Sequence, residues 1–246
     1  MRADELLVRA GLAPSRAKAR ALIEEGKVFY LSKPVDKPSR SIPEGADLEV
    51  DPDCASLRFV SRAGLKLEAF LDRFGVGVEG LRALDVGAST GGFTDCLLSH
   101  GAAECVCVDV GHGQLSPKLA ADPRVSNMEG TDVRSLTPAL FGGRPFDFVC
   151  ADLSFISLTK ALPAIMPLAG EGAPVVCLVK PQFEADPALM RKCAGVLRDP
   201  DARRAALEKV EAFFAENFSS ATPIGSMPSP ILGGDGNAEF LVGYRK

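Results

Sequence analysis

From Arg82 onward, short apolar runs alternate with helix-length stretches, and a chain punctuated in this way has few options besides a mostly parallel, doubly wound α/β sheet. Leu84-Asp85-Val86 closes the first run, and Glu104 to Asp109 forms the second. Phe146 to Ala151 and Val175 to Val179 are continuous apolar runs without alternation, the pattern of parallel strands buried on both faces. Asp152 directly follows one of them and Lys180 the other. In open α/β sheets ligands bind outside the carboxyl ends of the strands, so both charged residues are expected in the ligand crevice.

Punctuation divides the 246 residues into a small segment, 1–58, and a larger domain, 59–246. With 46% hydrophobic residues the larger part can bury a real core. No window approaches the roughly 18 uninterrupted apolar residues of a membrane span, and Met1-Arg2-Ala3-Asp4-Glu5 lacks the apolar stretch of a secretory signal. A cytoplasmic protein without a membrane partner is expected. The seven cysteines show no paired CxxC spacing, and Cys105, Cys107, Cys150 and Cys177 lie inside strand-like runs as small core residues. With only His100 and His112 present, no metal site is expected. The net charge of −4 hides an asymmetry: Arg16 to Arg40 holds seven basic and three acidic residues, a net of +4 that leaves −8 for the rest. That is the footprint of a local basic surface on an acidic protein.

In the first fifty residues, Asp4 to Ala10 reads as a short helix closed by Gly11. Ser15 caps a second helix that runs to Glu25 and stops at Gly26. Ala19, Leu22 and Ile23 share one face of it, while Arg16 and Arg20, four apart, share another suited to phosphate contacts. Strand-like pieces follow at Lys27 to Leu31 and Asp47 to Val50. Ser15-Arg16, Ala19, Leu22-Ile23, Gly26, Val28 and Val35-Asp36-Lys37-Pro38-Ser39 together resemble the RNA-binding domain first recognised in the fourth small-subunit ribosomal protein. Arg16, Lys18, Arg20 and Lys37 are the candidate RNA contacts. One departure stands at the hairpin tip, where Leu31-Ser32-Lys33 replaces the Asn-Gly-like turn usual in that family.

The turn after the first strand of the larger domain, Gly87-Ala88-Ser89-Thr90-Gly91-Gly92, leads through Phe93 into a helix that ends before Gly101. Asp109 closes the next strand 22 positions after Gly87, the interval at which a carboxylate meets ribose hydroxyls in nucleoside-binding folds. Gly87-x-Ser89-x-x-Gly92 is close to a dinucleotide fingerprint, but Asp85 just before it would repel a pyrophosphate. S-adenosylmethionine carries no phosphate and bears an ammonium and a sulfonium, which an acid favours. Asp85, Gly87, Ser89, Gly91, Gly92, Phe93, Asp109 and Asp132 are therefore the candidate cofactor residues. Asp132, in Gly130-Thr131-Asp132-Val133-Arg134, either meets an adenine amino group or caps the following turn. His112 is expected as a loop residue near the cofactor.

A sugar hydroxyl is a poor nucleophile at neutral pH, so methyl transfer to it needs alignment and a group that removes or stabilises its proton. A lysine does this when burial or a neighbouring cation destabilises its ammonium. Lys180 beside Lys66 would meet the second condition, with Asp152 positioning Lys180, and Glu239 as a further support. Glu239 opens the terminal strand-like run Ala238 to Tyr244. If that strand is antiparallel, it starts at the edge where its parallel neighbours end, next to Asp152 and Lys180. The proton's route off the hydroxyl stays open.

These residues reach a family. Ser61-Arg62-Ala63-Gly64-Leu65-Lys66-Leu67, Asp85 to Thr94, Ala151-Asp152-Leu153-Ser154-Phe155-Ile156-Ser157, Val179 to Glu184 and Gly236-Asn237-Ala238-Glu239-Phe240-Leu241 resemble, in order, the motifs of the TlyA or haemolysin A family. Ala63 stands where that family usually has glycine. The resemblance implies a Rossmann-like class I methyltransferase sheet of the FtsJ kind with a small N-terminal α+β RNA-binding domain. It also implies S-adenosylmethionine-dependent 2′-O-methylation of cytidine in ribosomal RNA by a Lys-Asp-Lys-Glu tetrad that maps onto Lys66, Asp152, Lys180 and Glu239. Ribosomal RNA or ribosomal subunits are the implied partners. Asp152-Leu153-Ser154-Phe155 differs from the Asp/Asn-Pro-Pro-aromatic segment frequent in amino-group methyltransferases, which disfavours base-amine methylation. A membrane-lytic haemolysin is disfavoured because no spanning segment or strong basic amphipathic helix is present. A non-catalytic RNA-binding assembly factor is the other alternative, against which Lys180 and Asp152 stand.

Overall fold

The computed structural model describes residues 1–51 and 58–246, so Cys54 lies outside the described residues. The chain separates into two compact units, Met1–Ser61 and Arg62–Lys246.

In the first unit, α1 (Ala3–Arg9) and α2 (Arg16–Glu24) share a core with an antiparallel sheet in which β1 (Val28–Tyr30) lies between β2 (Lys33–Pro34) and β3 (Glu49–Val50). Helix α2 starts where Ser15 Oγ accepts the Lys18 N–H at 3.2 Å, satisfying one of the otherwise orphaned first-turn donors. It is followed by Gly26 at a left-handed φ of 69°, a conformation glycine adopts without steric cost. Its apolar face, Ala19, Leu22 and Ile23, is buried with Leu6, Leu7 and Val28. Between the paired residues Tyr30 and Lys33, both Leu31 and Ser32 take left-handed φ values, 51° and 58°. The two-residue loop thus keeps the geometry that Asn-Gly usually supplies, and Leu31 is left 74% exposed at its tip.

The second unit begins with α3 (Ala63–Phe74) and continues as β4 (Arg82–Val86), α4 (Gly92–Ser99), β5 (Glu104–Val108), α5 (Pro117–Ala120), β6 (Val125–Met128) and β7 (Phe148–Ala151). It is completed by α6 (Leu158–Ile165), β8 (Pro174–Val179), α7 (Pro181–Glu184), α8 (Pro187–Lys192), α9 (Pro200–Asn217), β9 (Thr222–Pro228) and β10 (Phe240–Arg245). The seven strands form one sheet in the order β6-β5-β4-β7-β8-β10-β9. Neighbours from β6 to β8 are parallel, and β10 runs antiparallel to β8 and β9. Strand order reverses between β4 and β7, which makes their carboxyl ends the topological switch point.

Alternation along the strands sorts the core into two layers. Leu84, Val86, Val149, Val175 and Val179 join the core that includes α6 and α9 residues, where Phe214 stacks on Tyr244 at 3.9 Å. Asp85 and Cys150 turn to the other layer, with α4. Cys105, Cys107, Cys150 and Cys177 are fully buried in these layers. Helix α3 comes close to β10 at Gly243, where a Cβ would lie 2.3 Å from the Phe70 ring, so a larger residue there must displace that ring. No helix among the described residues is long and apolar enough to cross a membrane.

Candidate active site

At the switch point β4 gives way to Gly87, with φ 84°, where a Cβ would sit 2.4 Å from the Asp152 backbone oxygen. Two strand ends meet there with room for a hydrogen and nothing larger. The Asp152 N–H donates to Val86 O at 2.9 Å, which fixes the rim of one strand on the other. Ser89, left-handed at φ 48°, donates its N–H to Asp109 Oδ2 at 2.8 Å, while Asp109 Oδ1 accepts the Gly111 N–H at 2.7 Å. Both carboxylate oxygens of Asp109 are thereby held in place at the end of β5.

A cavity of about 410 Å³ opens over these strand ends, lined among others by Gly87, Ser89, Asp109, Asp132, Asp152 and Phe155. Its charged lining is three carboxylates and one guanidinium, Arg134. That guanidinium is paired with Asp132 at 2.5 Å. Asp132 also accepts the Arg134 N–H at 2.8 Å, the capping expected as its competing role, while still lining the cavity. His112 packs on Gly130, where a Cβ would come within 2.5 Å of its ring.

Four residues expected at the cofactor do not line this cavity. Asp85 is fully buried on the opposite layer, its Oδ2 accepting from Thr94 N–H at 3.0 Å and Thr94 Oγ at 2.7 Å. The reason is strand alternation: neighbouring Leu84 and Val86 take one face, so Asp85 must take the other. Burial pushes its carboxyl up to about 7, and the charge of Asp152 adds to that. Gly91 faces Leu119 and Leu115, and Gly92 and Phe93 belong to the buried first turn of α4.

The four expected catalytic residues form two ion pairs. Lys180 Nζ stands 2.7 Å from Asp152 Oδ1 and donates to Ser154 Oγ at 2.9 Å. The approach to Oδ1 is electrostatic and off hydrogen-bond geometry, so that enclosed oxygen keeps its accepting capacity. Lys66, in the first turn of α3, donates to Glu239 Oε2 at 2.6 Å, with side-chain exposures of 9% and 3%. Register explains how Glu239 arrives: Phe240 pairs with Val179, so one step further Glu239 lies across from Lys180. Glu239 thus balances the charge of Lys66, and Asp152 that of Lys180.

Residues outside the expected set brace or border this rim. Glu184 is buried and accepts from Leu158 N–H at 2.6 Å and Ser157 Oγ at 2.5 Å, lashing the segment after Lys180 to the segment after Asp152. Asn237 accepts from Leu197 N–H at 2.9 Å and donates to Gly195 O at 3.0 Å, which fixes the approach to Glu239. Phe155 is 92% exposed at a left-handed φ of 64°, an apolar ring held outward at the cavity mouth. Its place two residues beyond Leu153, after a strand end, was the available signal.

In the first unit, Arg16 and Arg20 reach the same buried acceptor, Asp4 Oδ2, at 3.2 and 3.1 Å, while Arg2 holds Oδ1 at 2.9 Å. Hydrogen bonding from Arg2 foremost keeps the Asp4 carboxyl well below the usual carboxylate range. Both α2 guanidinium groups are half exposed, and Lys37 is exposed. Lys18 corrects the expectation of a phosphate contact. Its side chain is buried, and Nζ donates to the Phe59 carbonyl at 2.8 Å.

This sheet order, with its acid-lined cavity at the switch point, defines the class I methyltransferase architecture. Residues 59–246 match the FtsJ-like methyltransferase family, and residues 1–48 match the S4 domain. The 16S/23S rRNA (cytidine-2′-O)-methyltransferase TlyA of Mycobacterium tuberculosis is 44% identical over 244 residues, covering 99% of this chain and 89% of the relative. Hemolysin A of Brachyspira hyodysenteriae is 37% identical over 249 residues, covering 99% of each. A solved structure from Streptococcus thermophilus that carries a hemolysin designation superposes with a TM-score of 0.77 at 40% identity, over 100% of this chain and 88% of that one. The chain belongs to the TlyA/hemolysin A family of FtsJ-like methyltransferases.

Proposed function

We propose that this chain transfers a methyl group from S-adenosylmethionine to the ribose 2′-hydroxyl of a cytidine in ribosomal RNA. The carrying observation is the Lys180–Asp152 pair at 2.7 Å, set where Asp152 lines the cavity. The substrate class follows the names of the relatives and the basic α2 of the S4 domain, whose Arg16 and Arg20 are suited to phosphates.

The cavity fits the cofactor that the family implies. A phosphate-bearing ligand would meet three carboxylates with one guanidinium already paired, whereas a cationic ligand without phosphate is favoured by that charge. Asp109, fixed by two backbone donors, is the residue to bind ribose hydroxyls. Gly87 lets the backbone approach closely, and Asp132 is the acceptor for an adenine amino group. When bound, S-adenosylmethionine supplies an electrophilic methyl on sulfonium sulfur.

Lys180 would hold the 2′-oxygen and stabilise the negative charge that develops on it as its proton leaves. The hydroxyl proton would pass to water, so Lys180 and Asp152 end the step in the protonation states in which they began it. Ser154 keeps the amine aimed, and the Lys66–Glu239 pair walls the site without adding net charge. Lys180→Ala is expected to lower ribose methylation at least a hundredfold with S-adenosylmethionine affinity retained. Mapping 2′-O-methyl groups on ribosomal RNA checks this, and undiminished methylation in the variant would remove Lys180 from the mechanism.

A further inference from the structure

The ladder between β7 and β8 ends short of the catalytic pair. Its last partners are Ala151 and Cys177. Beyond them the Asp152 N–H turns to Val86 of β4 at 2.9 Å, while Leu178 and Val179 pair with Leu241 and Phe240 of β10. The backbones that carry Asp152 and Lys180 are thus fastened to different neighbours. Among the described residues, no backbone hydrogen bond joins 152–158 to 180–185. Nor does the pair hold itself in register, since Lys180 Nζ reaches Asp152 Oδ1 off hydrogen-bond geometry. Their separation is left to other side chains.

Glu184 supplies the tie. Lys180 caps α7 and Glu184 is its last residue, and the Phe183 and Ala185 N–H groups close the turn on Lys180 O and Pro181 O at 2.9 Å each. The two residues therefore move as one turn. Across the gap the carboxylate accepts from Leu158 N–H at 2.6 Å and Ser157 Oγ at 2.5 Å, at the N-terminus of α6, where the helix favours a negative charge. Lys209 of α9 compensates it, with Nζ 3.6 Å from Oε2 and donating to the Glu184 carbonyl at 2.7 Å. The same two segments thus meet twice, at the cavity through Asp152, Ser154 and Lys180, and again through Ser157, Leu158 and Glu184. We infer that Glu184 is a positioning residue for methyl transfer: through α7 it sets the distance of Lys180 from Asp152, with Lys209 as its counter-charge. The inference rests on the ribose-methylation reading. A displacement of about 1 Å at a reacting centre costs on the order of a hundredfold in rate. Glu184 does not line the cofactor cavity, so cofactor binding is independent of it.

The test measures ribose methylation of ribosomal RNA by the full chain, with the folding of each variant followed by circular dichroism. Glu184→Ala is expected to lower kcat about a hundredfold with KM for S-adenosylmethionine unchanged, the split that a loss of positioning produces. Glu184→Gln, whose amide still accepts the Leu158 N–H, should recover most of the rate. Ser157→Ala removes one tether and leaves the carboxylate compensated by Lys209, so it carries the same split on a smaller scale even if Glu184→Ala does not fold. Placed on Lys180→Ala, Ser157→Ala or Glu184→Ala should lower the residual rate no further, because the tie acts through Lys180. An additive loss in the double variants, or folded single variants that keep the wild-type kcat and lose only thermal stability, would overturn the positioning role alone. Undiminished methylation by Lys180→Ala would instead sink the functional reading of that lysine, and the role of Glu184 with it.

Discussion

The backbone oxygen of Asp152 occupies the space where a side chain at Gly87 would begin, 2.4 Å from an ideal Cβ. Gly87→Ala must also hold a left-handed φ of 84°, which costs an L-residue about 1–2 kcal/mol before any clash is counted. The expected result is at least a tenfold loss of S-adenosylmethionine affinity with a lowered melting temperature. Isothermal calorimetry and thermal unfolding check it, and native-like values for both would show that the strand ends can part.

Lys66 and Glu239 form a buried pair, so removing one partner leaves a charge without compensation. Lys66→Met is expected to cost about 3–5 kcal/mol, read from urea unfolding. The double variant Lys66→Met, Glu239→Leu should recover most of that stability. If each single variant unfolds like the wild type, the pair is structurally idle.

Asp85 gives a pH signature. Its carboxyl titrates near 7 in the folded chain, against the ordinary value of 3.8. Between those values the folded state binds the extra proton, so the contribution of this group to stability falls as pH rises from about 4 to 7 and the charged form is penalised above that. Asp85→Asn retains an acceptor for Thr94 and should remove the slope. Its stability relative to the wild type is thus expected to improve from pH 5 to pH 8, measured by denaturant unfolding at each pH. A difference that is flat across that range would contradict a raised carboxyl.

The three basic residues of α2 are expected to behave differently in a salt titration of RNA binding by the full chain. Arg16→Ala and Arg20→Ala should each reduce the slope of log affinity against log salt by about one. Lys18→Ala should leave the slope unchanged, since that amine is turned to the Phe59 carbonyl. A reduced slope for Lys18→Ala would place its ammonium on the RNA.

What the sequence made legible follows from how local each signal is. Asp152 and Lys180 could be placed because an uninterrupted apolar run announces a buried strand, and its carboxyl end faces the crevice. Glu239 followed from the direction of one strand, and the pairing of Phe240 with Val179 puts it where that direction requires. Lys66 was harder, since a lysine in a helical turn gives no sign that its amine is buried against a residue 173 positions away. Asp85 and Phe93 went astray for a related reason: nearness to a glycine turn in sequence does not decide which face a side chain takes. Glu184 and Asn237 were invisible because their work is holding backbone from distant segments, which no spacing rule records.

Strand β10 sits inside the sheet, between β8 and β9, and Glu239 stands at its threshold. β9 joins the sheet through β10 alone, so neither strand has a place until β10 lies against β8. The step that seats the last two strands is therefore also the one that brings Lys66 its counter-charge and closes that wall of the site.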